Sequence, residues 1–185
     1  MKIIIVRHGE SMGDIEQRYE GKSEFELSLR GHLQAECLSK WLAETQSITT
    51  IITSPLRRAV QTAEYISNTT KAPIIFEELL SEIDLGYVTG LPKEEGDRLY
   101  PVPDGGFKHD TNRGVIGESE LELRIRCNKF LEILVETQPM EARLCIISHG
   151  HFISTLHQCF TNQPPQIAKG YTTGDTGVHL WDLRK

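Results

Sequence analysis

The sequence predicts an α/β fold: a single three-layer α/β/α domain whose mostly parallel central sheet carries helices on both faces. Two observations lead there. Short β-branched runs, Ile3-Ile4-Ile5-Val6 and Cys145-Ile146-Ile147-Ser148, read as strands buried on both faces. Between and around them, strand patterns alternate with helical ones, as in sheets covered by helices on both sides. At 185 residues the chain is long enough for one well-buried core and short for two.

The elements follow in order. Leu29 to Thr45 carries apolar residues at Leu33, Leu38, Trp41 and Leu42, a helical stripe. Thr49 to Thr53 is a short strand, and Ser54-Pro55 opens a helix over Leu56 to Ser67 with proline in the first turn. Pro73 to Phe76 reads as another strand, and Glu77 to Leu91 mixes acidic and apolar residues before it ends in glycines. From 92 to 117 the prolines and glycines follow no period, which predicts an irregular excursion covering a substrate, with about one helical turn. Glu118 to Glu136 shows a stripe through Leu121, Ile125, Phe130 and Leu134. The second β-branched strand, a helix over Phe152 to Phe160 and a closing strand over Val178 to Leu183 complete the chain. No internal repeat or low-complexity stretch competes with this reading.

Composition narrows the function. A hydrophobic fraction of 38% and a charged fraction of 25% suit a soluble globular protein, and no apolar window is long enough to cross a bilayer. Met1-Lys2 runs straight into a core strand without a secretory cleavage signal, so a cytoplasmic location is expected. A formal net charge of -6 opposes nonspecific nucleic-acid binding, which needs an extended basic surface. Cys37, Cys127, Cys145 and Cys159 form neither a CxxC pair nor a zinc-finger spacing, and reduced thiols are expected, with Cys37, Cys127 and Cys145 as small buried hydrophobes.

The chemistry gathers where the two buried strands end. Each breaks into a histidine-glycine pair, Arg7-His8-Gly9-Glu10-Ser11 and His149-Gly150-His151. In open α/β sheets, ligands bind beyond the carboxyl ends of the strands. A neutral imidazole is a competent nucleophile toward phosphorus, and a guanidinium matches phosphate oxygens with a fork of donors. Arg57 stands in a predicted first helical turn, where free amides favour an anion. Arg57 and Arg58 point in different directions around that helix, so at most one of them faces the site. His149 and His151 are the residues a metal would use, but neither an HExxH motif nor an aspartate-rich cage accompanies them, and no metal or other cofactor is expected.

In this order the motifs resemble the histidine phosphatase superfamily, also called the phosphoglycerate mutase-like family, and the resemblance covers nearly the whole chain. It rests on Arg7-His8-Gly9-Glu10-Ser11, on Leu27-Ser28 with Gly31 and Gln34-Ala35, and on the run Ser54-Pro55-Leu56-Arg57-Arg58-Ala59-Val60-Gln61-Thr62-Ala63. Leu80-Ser81-Glu82-Ile83-Asp84-Leu85-Gly86 with Gly90, then Gly117-Glu118-Ser119 and Ser148-His149-Gly150, complete it. The resemblance implies that His8 is the nucleophile and forms a phosphohistidine. It further implies that Arg7, Arg57 and His149 hold the transferring oxygens and that Glu82 protonates the leaving group. Spacing alone would not choose Glu82 over Glu78 or Asp84.

Ser11, Asp14, Glu20, Gly21 and Gly150 are candidates for contact with the substrate. The chain departs from the family pattern at Asp14 and Glu20, where many members carry neutral residues. Two carboxylates beside a phosphate seat repel it, so weakened or redirected phosphate binding is expected if they point inward. Lys22, the excursion at 92–117 and Tyr171 to Thr176 are expected to recognise the leaving group. The leading expectation is a metal-independent phosphomonoesterase acting on a small phosphorylated metabolite. A phosphoglycerate mutase and a non-catalytic phospho-ligand-binding module are the alternatives. Oligomeric state is not legible.

Overall fold

In a computed structural model, residues 1–164 and 172–183 are described. The strands are β1 (Lys2–Arg7), β2 (Thr50–Thr53), β3 (Ile74–Phe76), β4 (Arg143–Ser148) and β5 (Val178–Asp182). They form one sheet in the order β3-β2-β4-β1-β5. The first four are mutually parallel, and β5 runs antiparallel along the outer edge of β1. The helices are α1 (Met12–Ile15), α2 (Leu29–Thr45), α3 (Arg57–Thr70), α4 (Lys93–Leu99), α5 (Glu120–Thr137) and α6 (Gly150–Phe160), with 3₁₀ turns at Glu78–Leu80 and Gly86–Val88.

Period-two alternation along the buried strands divides the core in two. Ile3, Ile5, Leu144 and Ile146 pack with Leu123, Cys127 and Phe130 of α5 and Phe152 and Leu156 of α6. Ile4, Val6, Cys145 and Ile147 face the other way, toward Leu38 and Leu42 of α2 and Ala59, Ala63 and Ile66 of α3. A continuous apolar run is what a strand covered on both sides requires. The expected α/β fold with helices on both faces is the one observed.

Two predicted helix faces are rotated. On α2 the inward line is Gly31, Ala35, Leu38, Ser39 and Leu42, while Leu33 and Trp41 are exposed. The line is set by close approach: a Cβ on Gly31 would lie 2.0 Å from the Glu10 carbonyl oxygen, so only glycine lets α2 start against the loop after β1. On α5 the buried line is Leu123, Cys127, Phe130 and Leu134, and Leu121 and Ile125 are exposed. On α2 the small inward residues carry little hydrophobicity, and on α5 the outward Leu121 and Ile125 rival the buried line, so large outward side chains misplace both stripes. Cys37 is exposed rather than buried, while Cys127 and Cys145 are buried as expected. The excursion at 92–117 contains a seven-residue helix, α4, where about one turn was expected.

Candidate active site

Strand pairing alone puts the two histidines together. In the β1–β4 register Arg7 lies opposite Ser148, so His8 and His149 are the next residue on each strand, and the His8 amide donates to the Ser148 carbonyl at 3.1 Å. Their ring centroids are 4.9 Å apart, and both side chains are buried.

Hydrogen bonding fixes the His8 tautomer. Arg58 Nε can only donate, and it stands 3.2 Å from His8 Nε2, so that nitrogen accepts. The ring proton is therefore on Nδ1, which donates to the Gly9 carbonyl at 2.8 Å. Burial, with the Arg58 and Arg7 charges added, holds the His8 pKa well below the ordinary imidazole value. His8 is thus a neutral imidazole with its Nε2 lone pair turned to a guanidinium.

Arg58, not Arg57, is the arginine at the site. The Arg57 side chain is 58% exposed and pairs with Glu26 at 2.9 Å. Arg58 is fully buried and donates to the carbonyls of Ser23 and Gly21 at 2.8 and 2.9 Å as well as to His8. One helical residue is about 100° of rotation, which separates the two completely. The sequence signal was the face shared by Arg58, Ala59, Thr62, Ala63 and Ile66, all buried on α3. Thr62 ties that face to the loop after β1, its hydroxyl accepting from the Gly9 amide at 3.2 Å.

His149 N-caps α6, and its Nε2 lies 2.8 Å from Ser54 Oγ. Ser54 Oγ accepts from the Leu56 amide at 3.3 Å, and among the described residues His149 Nε2 is the acceptor open to the proton of this buried hydroxyl. His149 Nδ1 then carries the ring proton and is buried with no partner among the described residues. Burial and the Arg58 charge hold the His149 pKa well below its ordinary value. The ring is a neutral donor available to an anion.

Glu82 reaches the same end of the sheet from the loop after the first 3₁₀ turn. Its carboxylate accepts from the amides of Ile83, His151 and Phe152 at 2.9, 3.2 and 3.2 Å, so it caps α6 where the N-cap histidine does not. Burial pushes its pKa up, but hydrogen bonding and charge from His151, then His149 and the Ile83 amide, outweigh this and hold it well below the carboxylate norm. The imidazole of His151, 3.8 Å from Glu82 and half exposed, is raised in turn, chiefly by Glu82.

A cavity of about 350 Å³ adjoins these groups, walled in part by Arg7, Asp14, Glu20, Gly21, Glu82 and Gly150. Lys93 and Thr173, from the two segments expected to recognise the leaving group, also line it, together with Tyr19 and His151, which the sequence reading did not assign to the substrate. Arg7 donates to the Thr173 carbonyl at 2.8 Å and pairs with Asp175 at 3.4 Å, so the segment expected to recognise the leaving group also holds this arginine. Asp14 caps α1 and lies 4.0 Å from Arg7. Glu20 meets the Ser11 hydroxyl in a short hydrogen bond and comes within 3.7 Å of Arg58 Nε. Burial raises the Glu20 pKa, more than the Arg58 charge and the Ser11 hydrogen bond lower it, and Asp14 and Glu82 add to the rise.

Ser11 is buried and reaches the cavity only through Glu20 and Asp14. Lys22 is turned to Asp84 at 3.7 Å and does not line the cavity. Of the segment Tyr171 to Thr176, Tyr171 lies outside the described residues, while Thr172 and Thr173 wall the cavity. Among the described residues no group of three His, Cys, Asp or Glu side chains is arranged to hold a metal, and no helix is long and apolar enough to cross a membrane.

The family model described as Histidine phosphatase superfamily (branch 1) matches residues 3–184. Phosphoglycerate mutase-like protein 4 of Arabidopsis thaliana is 28% identical over 185 residues, spanning 98% of this chain and 80% of its own length. A probable phosphoglycerate mutase of Salmonella choleraesuis is 34% identical over 155 residues, 81% of this chain and 70% of its own. Among solved structures, a mycobacterial glucosyl-3-phosphoglycerate phosphatase in complex with VO3 superposes with a TM-score of 0.85 at 25% identity, covering 97% of this chain and 90% of the other. The alpha-ribazole phosphatase from Shigella flexneri has the same fold, with a TM-score of 0.90 at 21% identity over 100% of this chain and 92% of its own.

Proposed function

Because the chain belongs to the histidine phosphatase superfamily, we propose that it is a phosphoric monoester hydrolase that works on a small phosphorylated metabolite through a phosphohistidine at His8, without a metal. The observation that carries this reading is the His8 tautomer: Nδ1 is tied to the Gly9 carbonyl and the Nε2 lone pair faces Arg58. Nε2 attacks phosphorus and the bond to the leaving oxygen breaks. Arg7, Arg58 and the His149 Nδ1 proton stabilise the charge on the equatorial oxygens, the electrostatic work that dominates phosphoryl transfer.

Glu82 supplies the proton to the leaving alkoxide. Its carboxyl is ionised in the free enzyme, so it takes up that proton when the phosphate dianion enters beside it and raises its affinity for one. Water then attacks the phosphohistidine, Glu82 accepts the proton, and inorganic phosphate leaves with Nε2 restored. Hydrolysis is favoured over transfer between two positions of a phosphoglycerate because Asp14, Glu20 and Asp175 surround the seat with carboxylates that oppose a second phosphate.

The test is phosphate release from p-nitrophenyl phosphate in the presence of a chelator, with His8→Ala beside the wild type. Turnover that survives chelation and falls by on the order of 10⁴-fold or more in the variant supports the reading. Turnover that persists in the variant overturns it. Isomeric monophosphate as the product from phosphoglycerate would instead favour a mutase.

A further inference from the structure

The wall of the phosphate cavity formed by Tyr19 and Leu85 is also the wall of a second cavity, of about 410 Å³. The second cavity lies beneath the 92–117 excursion and is lined by Val88, Leu99, Tyr100 and Phe107 along with the shared pair. Its charged members are already committed. Asp97 accepts from the Tyr19 hydroxyl, and Arg113 pairs with Glu120 at 2.7 Å while its guanidinium lies 4.0 Å over the Phe107 ring. What remains for a ligand is apolar and aromatic surface, in a volume typical of small-molecule pockets.

The cavity is fixed to the active site by close backbone contacts. A Cβ on Gly96 would lie 2.8 Å from the Tyr19 ring, so α4 rests directly on that residue. The Tyr87 amide donates to the Gly114 carbonyl at 3.0 Å, joining the excursion to the 3₁₀ turn at Gly86–Val88. In the neighbouring phosphate cavity, Arg18 is engaged by Glu16 at 2.6 Å and by the Gly90 carbonyl at 2.8 Å.

We propose that the substrate is a phosphomonoester whose leaving group carries an apolar, ring-bearing body, seated in the second cavity while its phosphate lies at His8. This rests on the hydrolase reading above. The occupant is part of the substrate because the two cavities adjoin along Tyr19 and Leu85, so a body attached to a phosphate at His8 reaches the second cavity by crossing those two side chains.

The experiment compares ethyl, benzyl and 2-naphthylmethyl phosphates, whose leaving alcohols have similar acidity, for kcat/KM with the wild type and with Val102→Trp and Val115→Trp. Both substituted residues line the cavity, are well exposed and lie outside the catalytic machinery. Binding of ethyl and 2-naphthylmethyl phosphonates is measured alongside by calorimetry. From the ethyl to the naphthylmethyl ester kcat/KM is expected to rise about tenfold or more, the scale on which filling an apolar pocket discriminates. The tryptophan variants are expected to lose most of that gain while their ethyl phosphate value stays within about twofold of wild type. Equal kcat/KM for the three esters, or a gain that both variants retain, overturns the proposal. Phosphonates that bind in the expected order without hydrolysis of any ester would sink the hydrolase reading and keep the cavity assignment. Hydrolysis without any size preference would do the reverse.

Discussion

The floor of the site and its cover are built by opposite means. On the floor, His8 and His149 stand side by side because β1 and β4 pair in parallel register, and every strand residue beneath them is held by the ladder. The cover, from the Gly86–Val88 turn through residue 117, is held by single contacts such as Tyr87 to Gly114 and Gly117 to Arg113. On the proposed reading the floor fixes what is transferred, while the cover fixes what it is transferred from. Substitutions on the floor should change rate, and substitutions in the cover should change substrate ranking.

After loss of His8 itself, the largest break on the floor is Arg58→Ala. It removes the donor to His8 Nε2 and leaves the Gly21 and Ser23 carbonyls unpartnered by it, and kcat/KM for p-nitrophenyl phosphate should fall by about a thousandfold, as when one preorganised donor is lost. Arg57→Ala should stay within about twofold, because a surface pair such as that with Glu26 contributes little. Steady-state kinetics of the two variants checks this directly. A larger loss from Arg57 would mean that α3 is rotated in the working enzyme.

That pair also shows what the sequence could and could not disclose. The sheet, its helical cover and the meeting of His8 with His149 were legible because buried strands and following glycines leave a pattern that neighbours in sequence define. The choice between Arg57 and Arg58 was not, since it depends on one residue of helical phase, and α3 is phased by the small residues Ala59 and Ala63 rather than by a row of large apolar ones. The pairing of Arg7 with Asp175 and the place of Tyr19 were missed for another reason: both depend on loops whose partners are far away in sequence. Arg7 meets Asp175 only after β5 has folded back along β1. The cap role of Glu82 was likewise hidden, because it ends a helix that starts 68 residues later, Gly150 against Glu82.

Glu82→Gln separates that cap from the proton donor. Glutamine keeps an oxygen for the Ile83 and Phe152 amides and gives up only the one that accepts from the His151 amide, so the melting temperature should move by a few degrees, the scale of about 1 kcal/mol. Turnover of an alkyl phosphate should drop by on the order of a hundredfold, with a smaller loss for p-nitrophenyl phosphate, whose leaving group needs no proton. Equal losses for both esters, or a large fall in melting temperature without a kinetic difference between them, would assign Glu82 to structure alone.

A smaller effect, and a gain, is expected at the border between floor and cover, at Glu20. Its pKa is raised, first by burial, so it is neutral in acid and becomes charged as the pH climbs through that value, within 3.7 Å of the Arg58 nitrogen that a phosphate needs. The groups facing it are Arg58, the Ser11 hydroxyl, Asp14 and Glu82, and only the first two favour its charge. Phosphate affinity should accordingly weaken from acidic to neutral pH in the wild type. Glu20→Gln should remove that decline, raising kcat/KM about threefold to tenfold near neutrality, within the ~3 kcal/mol that like charges ~6 Å apart exert at an effective dielectric of ~20. In acid, where the wild-type carboxyl is already neutral, the two proteins should coincide. Stability carries the same sign, because a carboxyl with a raised folded-state pKa costs stability as the pH rises past its unfolded value, so the variant should melt higher at neutral pH and alike in acid. A variant slower than wild type at every pH would mean instead that the Glu20 proton is donated to the substrate, and that the border of the site works with its floor.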